Sequence, residues 1–229
     1  AYAKEVDLSY SSGRLRGGWQ AGDVKFVDLD GNGIWGIGQN TVDNPGDRKI
    51  LGNSLPTLSY GINAGFDWMG FDASVFLQGT GNHYWYPSGH NMNFWGGFSY
   101  SYVSFLPKDF LDKVWSEENP DSYFPRARAY GATGGYLAKV NDKYLQNLRY
   151  LRLKNLTVGY TLPDNLTSKV GIENLRVYAS GENLHYWSPL KESTKYIDPE
   201  AAFSRPSGVN NNAFYPWPAT YMFGIDITF

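Results

Sequence analysis

The feature that most limits this chain is a strict two-residue alternation of apolar and polar side chains that starts and stops several times. From Leu58 to Trp68, Leu58, Tyr60, Ile62, Ala64, Phe66 and Trp68 fall on one face, with Ser59, Gly61, Asn63, Gly65 and Asp67 on the other. Such a period places successive side chains on opposite faces of a β-strand. After Met69-Gly70 the pattern resumes with Phe71, Ala73, Val75 and Leu77 against Asp72, Ser74, Phe76 and Gln78, so the two runs predict a hairpin. A third run, 148 to 162, alternates through Leu156, Val158, Tyr160 and Leu162, but Leu151 and Leu153 are out of phase. This predicts a β-bulge near Asn155 or a strand end that leaves the apolar zone. Leu175, Val177 and Ala179 mark a fourth strand, and Tyr221, Phe223, Ile225, Ile227 and Phe229 a fifth.

The connections alternate too: short at 69 to 70, long from 80 to 147, short around Pro163 and Gly171, and long from 186 to 216. Outer-membrane barrels have short periplasmic turns, long extracellular loops, and strands that turn apolar residues to lipid and polar or small ones to the lumen. The polar faces here carry Gly, Asn, Ser and Thr rather than the Lys and Glu of a solvated surface, and aromatics reach 17% of residues. At about 3.3 Å per residue and a tilt near 45°, the run from Trp217 to Phe229 climbs roughly 28 Å, close to a bilayer core. The expected fold class is all-β: about five antiparallel strands with long extracellular loops, the carboxy-terminal segment of a large transmembrane β-barrel.

So few strands cannot close a barrel, and an open edge in lipid leaves backbone groups unsatisfied, so upstream strands are expected outside this sequence. A net charge of -2 gives no cationic field for nucleic acid, and the absence of Cys excludes disulfides and thiolate chemistry. The rival reading is a secreted β-sandwich that binds glycans, its loops braced by calcium; there the face of Leu58, Tyr60, Ile62 and Phe66 would meet protein instead of lipid.

Asp28-Leu-Asp30-Gly-Asn32-Gly33 matches the opening of a calcium loop, with oxygen ligands at alternate positions, Gly at the sixth for the turn, and the Ile34 carbonyl next. The acid expected at the twelfth position is replaced by Gln39. The same residues also suit an Asx-rich turn without metal. Gly31 to Gly36 fits G-x-G-x-x-G by letter, but no helix is predicted after it, so dinucleotide binding is not expected. His83, His90 and His185 lack metal or nucleophile spacing, and no enzymatic activity is expected. A short exposed helix is predicted from Pro107 to Trp115. Tyr84, Trp85, Tyr86, Trp95 and Tyr100 in the long loop, with Trp187, are candidates for contact with a substrate or a lid protein; packing of the loop on itself is the other reading.

Six stretches together resemble the SusC/RagA family of TonB-linked outer-membrane proteins: residues 22–33, 47–79, 114–126, 150–163, 175–184 and 215–229, about half the chain, in family order. The resemblance implies a 22-stranded barrel around an amino-terminal plug, in the outer membrane of a Gram-negative bacterium. It also implies energising through TonB, a SusD-like lipoprotein lid, import of oligosaccharides or peptides, and paired importers in a homodimer. On that basis residues 1–57 form an extracellular loop region, and 58–229 the last strands with extracellular loops 80–147 and 186–216. The plug and earlier strands lie elsewhere. In the family a similar Asp-rich loop ends in Asp-Arg, which places Asp47 as the residue closing the calcium site, with Asp43 as substitute. The final strand resembles the signal read by the barrel-assembly machinery, carried by Phe223, Gly224, Ile225, Ile227 and Phe229.

Overall fold

The computed structural model describes residues 20–33, 35–104, 106–202 and 217–229. The chain divides into two compact units. Among the described residues, one gathers 53–85, 146–202 and 217–229 around a sheet, and the other gathers 20–52 and 86–145. Among the described residues the strands are β1 (Ser59–Trp68), β2 (Phe71–Thr80), β3 (Tyr84–Trp85), β4 (Val114–Trp115), β5 (Phe124–Arg126), β6 (Gln146–Asn147), β7 (Tyr150–Thr161), β8 (Asn174–Trp187) and β9 (Thr220–Thr228). Helical segments are single turns: α1 (Met92–Trp95), α2 (Asp164–Thr167), α3 (Leu190–Ser193) and α4 (Pro199–Ala202), with a few 3-10 turns. No described helix is long and apolar enough to cross a membrane.

The sheet runs β1-β2-β7-β8-β9, with all neighbours antiparallel. Its first turn shows why two residues suffice. Met69 and Gly70 both have positive φ, 50° and 86°, the arrangement whose twist matches the flanking strands. Gly70 is further constrained because a Cβ there would lie 2.7 Å from the Thr161 carbonyl, while the Thr161 N–H donates to Gly70 at 2.7 Å.

Register carries the apolar alternation across every strand. Trp68, Phe71, Tyr160, Val177 and Ile225 form one continuous row, and Phe66, Ala73, Val158, Ala179 and Phe223 the next. The phase break in β7 is a bulge at Lys154: Phe76 pairs with Asn155 and Leu77 with Leu153, so the extra residue returns Leu151 and Leu153 to the apolar face. The irregularity continues into β8, where Asn183 takes φ 52°.

Nothing in the described chain covers this face. Ile62 is 51% exposed, Phe66 60% and Phe223 86%. A sandwich would have buried these side chains under a second sheet, so that expectation is corrected: the apolar rows stand open, and the two remaining ladders are only two residues long.

On the opposite face large side chains lie across strand glycines. Arg176 of β8 passes Gly159 of β7 to reach Asp72 of β2, with Nε to Oδ1 at 2.8 Å and Nη2 to Oδ2 at 2.6 Å, and Nη1 contacts Asp226 of β9 at 3.1 Å. Tyr178 covers Gly224 so closely that a Cβ there would stand 2.3 Å from its ring.

The second unit has its own aromatic core. Phe94, Trp95, Phe98, Phe110, Phe124 and Tyr144 are buried with Leu137 and Tyr136, their rings meeting mostly edge to face or tilted, as ring quadrupoles favour, with Phe124 and Tyr144 stacked. The helix predicted over 107 to 115 shortens to a 3-10 turn, Leu111–Lys113, and Val114–Trp115 pairs in parallel with β5 instead. Burial of Val114 in the aromatic core outweighs helical propensity there. Trp115 also lies over Gly22, where a Cβ would meet its indole at 2.3 Å.

Candidate functional site

In the Asp-rich loop the structure brings together what the sequence separates. A carboxylate oxygen from each of Asp28, Asp30 and Asp47 lies within 4.8 Å of the others. The segment between Gly36 and Asp47 doubles back on itself, with Asp47 N–H donating to the Gly36 carbonyl at 2.9 Å and Gln39 N–H to Asn44 at 3.1 Å. Gly38 and Gly46 meet there back to back, closer than any Cβ would allow. Asp47 then accepts the Leu29 and Gly36 N–H groups, each at 2.6 Å. Asp28 accepts Gly31 and Gly33, each at 2.7 Å, and Asp30 accepts the Asn32 side-chain amide at 2.9 Å. The Gly33 N–H foremost, aided by Gly31, holds the Asp28 carboxyl below its usual range. Asp47, not Asp43, joins Asp28 and Asp30 in this cluster; Ile34 lies outside the described residues. A cluster of hard oxygens on one loop suits a cation such as calcium and equally forms a self-bonded Asx turn.

The aromatic candidates divide. Trp95 is 0% exposed, its indole N–H donates to the Pro87 carbonyl at 3.1 Å, and it packs against Phe94 and Tyr144. It is therefore a core residue and cannot touch a ligand, which corrects its assignment. Tyr86 donates to the Leu137 carbonyl at 2.7 Å and accepts from Asn141 at 2.9 Å; burial pushes its phenol far above the usual value. Tyr100 bonds His90 Nδ1 at 2.6 Å and meets the rings of Tyr102 and Tyr130. Tyr84 and Trp85 form the two-residue ladder with β6, half-buried, and Trp187, 53% exposed, closes β8 with its ring edge-on to His185. The sequence reading missed Tyr130, which has φ 59°, unusual for a bulky residue.

It also missed an ion cluster beside the bulge. Arg152, 1% exposed, holds both oxygens of Asp198 at 2.5 and 2.6 Å, and Lys154 holds Glu200 at 2.9 Å. Arg152 Nε is 3.1 Å from Glu200, but its N–H is not aimed there. The guanidinium is sandwiched near the Tyr186 ring at 4.9 Å. Because Lys154 is the bulged residue, both cations turn to the polar face, where Asp198 and Glu200 pin the start of α4. The only advance signal was the phase break itself. Phe223, Gly224, Ile225, Ile227 and Phe229 lie on or just past β9, with all but Gly224 exposed.

No protein-family model matches the chain. Among curated proteins, TonB-dependent receptor P26 of Formosa agariphila is 30% identical over 99% of this chain and 21% of its own length. TonB-dependent receptor SusC of Bacteroides thetaiotaomicron is 26% identical over 89% of this chain and 17% of its own. The chain thus spans about a fifth of these relatives. The solved RagAB peptide transporter superposes with a TM-score of 0.55 at 24% identity, over 79% of this chain and 18% of that one, and shows the same fold. Strand order, open apolar rows and a similarity that extends nearly end to end agree: this chain belongs to the SusC/RagA family of TonB-dependent receptors, of which it is a segment.

Proposed function

We propose that this segment builds wall and extracellular mouth for a TonB-dependent importer of oligosaccharides or peptides in the outer membrane. The observation that carries this is the uncovered apolar face of the sheet, continuous through register from β1 to β9 and bounded by Tyr60 and Trp187 at one end and Trp68, Phe71 and Tyr160 at the other. Eight residue steps, at about 3.3 Å each and tilted near 45°, put those aromatic ends roughly 19 Å apart, within the apolar band of a barrel. The five strands contribute to a larger ring of 22, closed by strands and a plug beyond this sequence. Connections 80–147 and 186–216 face outward, where a SusD-like lipoprotein docks, and the importer works as a homodimer. Residues 1–57 supply an outer loop braced by structural calcium on Asp28, Asp30 and Asp47, supported by the approach of their carboxylates. The last strand serves as the signal for the barrel-assembly machinery, since it presents alternate exposed apolar residues around Gly224. No residue is assigned catalysis.

The test is Ile62→Lys and Ile225→Lys in the whole receptor, followed by membrane fractionation and heat-modifiable migration. A cation at mid-bilayer depth costs about 2 to 4 kcal/mol, so both variants should fail to assemble. Normal assembly of both would refute the lipid-facing assignment. Binding of a labelled oligosaccharide or peptide by the assembled receptor then separates the substrate classes.

A further inference from the structure

We propose that the open cleft at the loop end of the sheet binds the phosphorylated headgroup of an outer-leaflet lipid. This rests on the membrane-spanning reading and adds a ligand to it. The cleft measures about 680 Å³. Its apolar side is one row crossing four strands: Tyr60 pairs with Gly79, Gly79 with Leu151, and Leu151 with Trp187. Gly79 leaves a dip in that row, over which the Tyr60 ring lies with its hydroxyl donating to the Tyr150 carbonyl at 3.3 Å. Trp187 closes the far side with its ring half exposed. Aromatic rows of this kind sit at the membrane interface, at headgroup level.

Two cations, Arg149 and Lys191, line the same cleft, with Glu192 as the acid among them. Lys191 is steered by the Tyr186 ring, 3.8 Å away, and donates to the Tyr186 carbonyl. Arg149 precedes β7, is exposed, and its guanidinium has no ion-pair partner among the described residues. A guanidinium beside an ammonium, with an excess of positive charge over the single carboxylate, complements a phosphate. The exposed indole and Leu151 directly alongside add what a free anion would not use, a surface for the acyl chain beneath the phosphate. That combination selects a lipid over a soluble phosphate.

The experiment uses the whole receptor, purified in mild detergent and mixed with bisphosphorylated lipid A or its dephosphorylated form, with retained lipid read by native mass spectrometry. Each cation near a membrane surface contributes about a five-fold preference for anionic lipid, so Arg149→Gln with Lys191→Gln should lower retention of the bisphosphorylated form roughly twenty-five-fold. Retention of the dephosphorylated form should be the same in both proteins. Trp187→Ala, which leaves both cations, should weaken retention of either lipid. Equal retention of bisphosphorylated lipid by the unaltered receptor and the double variant overturns the proposal. So does displacement of that lipid by excess inorganic phosphate, which would mark a site for the free anion. A receptor recovered in the soluble fraction overturns the barrel reading itself, whereas a membrane-bound one with unchanged lipid retention overturns only this site.

Discussion

Arg176 and Asp72 sit on strands that are not neighbours, yet their side chains meet at 2.6 Å because the strand between them offers Gly159 at the crossing point. The pair is three-quarters shielded from solvent and is reinforced by Asp226 on the far side. It ties β2, β8 and β9 together over β7.

Gly159→Ala should break this tie without touching either ion. A Cβ there would stand 2.5 Å from Asp72 and 2.6 Å from Arg176, so one of the two must move. Loss of a charge-assisted, bidentate hydrogen-bonded pair removes part of the tie between these strands. The thermal midpoint for loss of heat-modifiable migration should fall, and Asp72→Asn should add little further once Gly159 is changed. Additive losses would show that the glycine and the ion pair act separately.

Trp95→Ala and Trp187→Ala should behave oppositely. Emptying a fully enclosed indole site costs about 3 to 5 kcal/mol, so the Trp95 variant should lose protease resistance over 86 to 145. Trp187 is half exposed, and its removal should leave that resistance unchanged. Equal sensitivity of the two variants would contradict the division between core and surface aromatics.

The Asp-rich loop should respond to both pH and calcium. The folded-state pKa of Asp28 lies below the free value of about 3.9, so its contribution is full above that value and is lost as pH falls through the lower, folded one. Hydrogen exchange at Gly31 and Gly33 should therefore stay slow at neutral and mildly acid pH and quicken only below about pH 4. Asp47→Asn should speed exchange at Leu29 and Gly36 by about ten-fold, for one hydrogen-bond acceptor removed. Millimolar calcium should slow exchange in the unaltered loop and not in Asp47→Asn. An unaltered loop indifferent to calcium would leave only the hydrogen-bonded turn.

Local periodicity explains what was legible in advance. The Met69-Gly70 turn, the strands on either side and the phase break at Lys154 are set by residues a few positions apart, so the alternation reveals them. Trp95 was ambiguous because an aromatic in a long loop reads the same whether it packs or projects; its burial depends on Phe124 and Tyr144, far along the chain. Arg152 and Asp198 are 46 residues apart, and no local pattern marks them as partners. The place of Asp47 beside Asp28 and Asp30 came from resemblance, and the doubled-back segment that makes it possible depends on Gly38 and Gly46 meeting back to back.

Tyr178 over Gly224 and Arg176 over Gly159 have a consequence for clearance. Both long side chains lie flat along the wall instead of standing up from it, which keeps this end of the polar face low in relief. A surface without ridges gives a body moving past it little to catch on. Glycines at these crossings thus set how far this face of the sheet stands out, and a bulky replacement would raise a ridge on it even where the strand still folds.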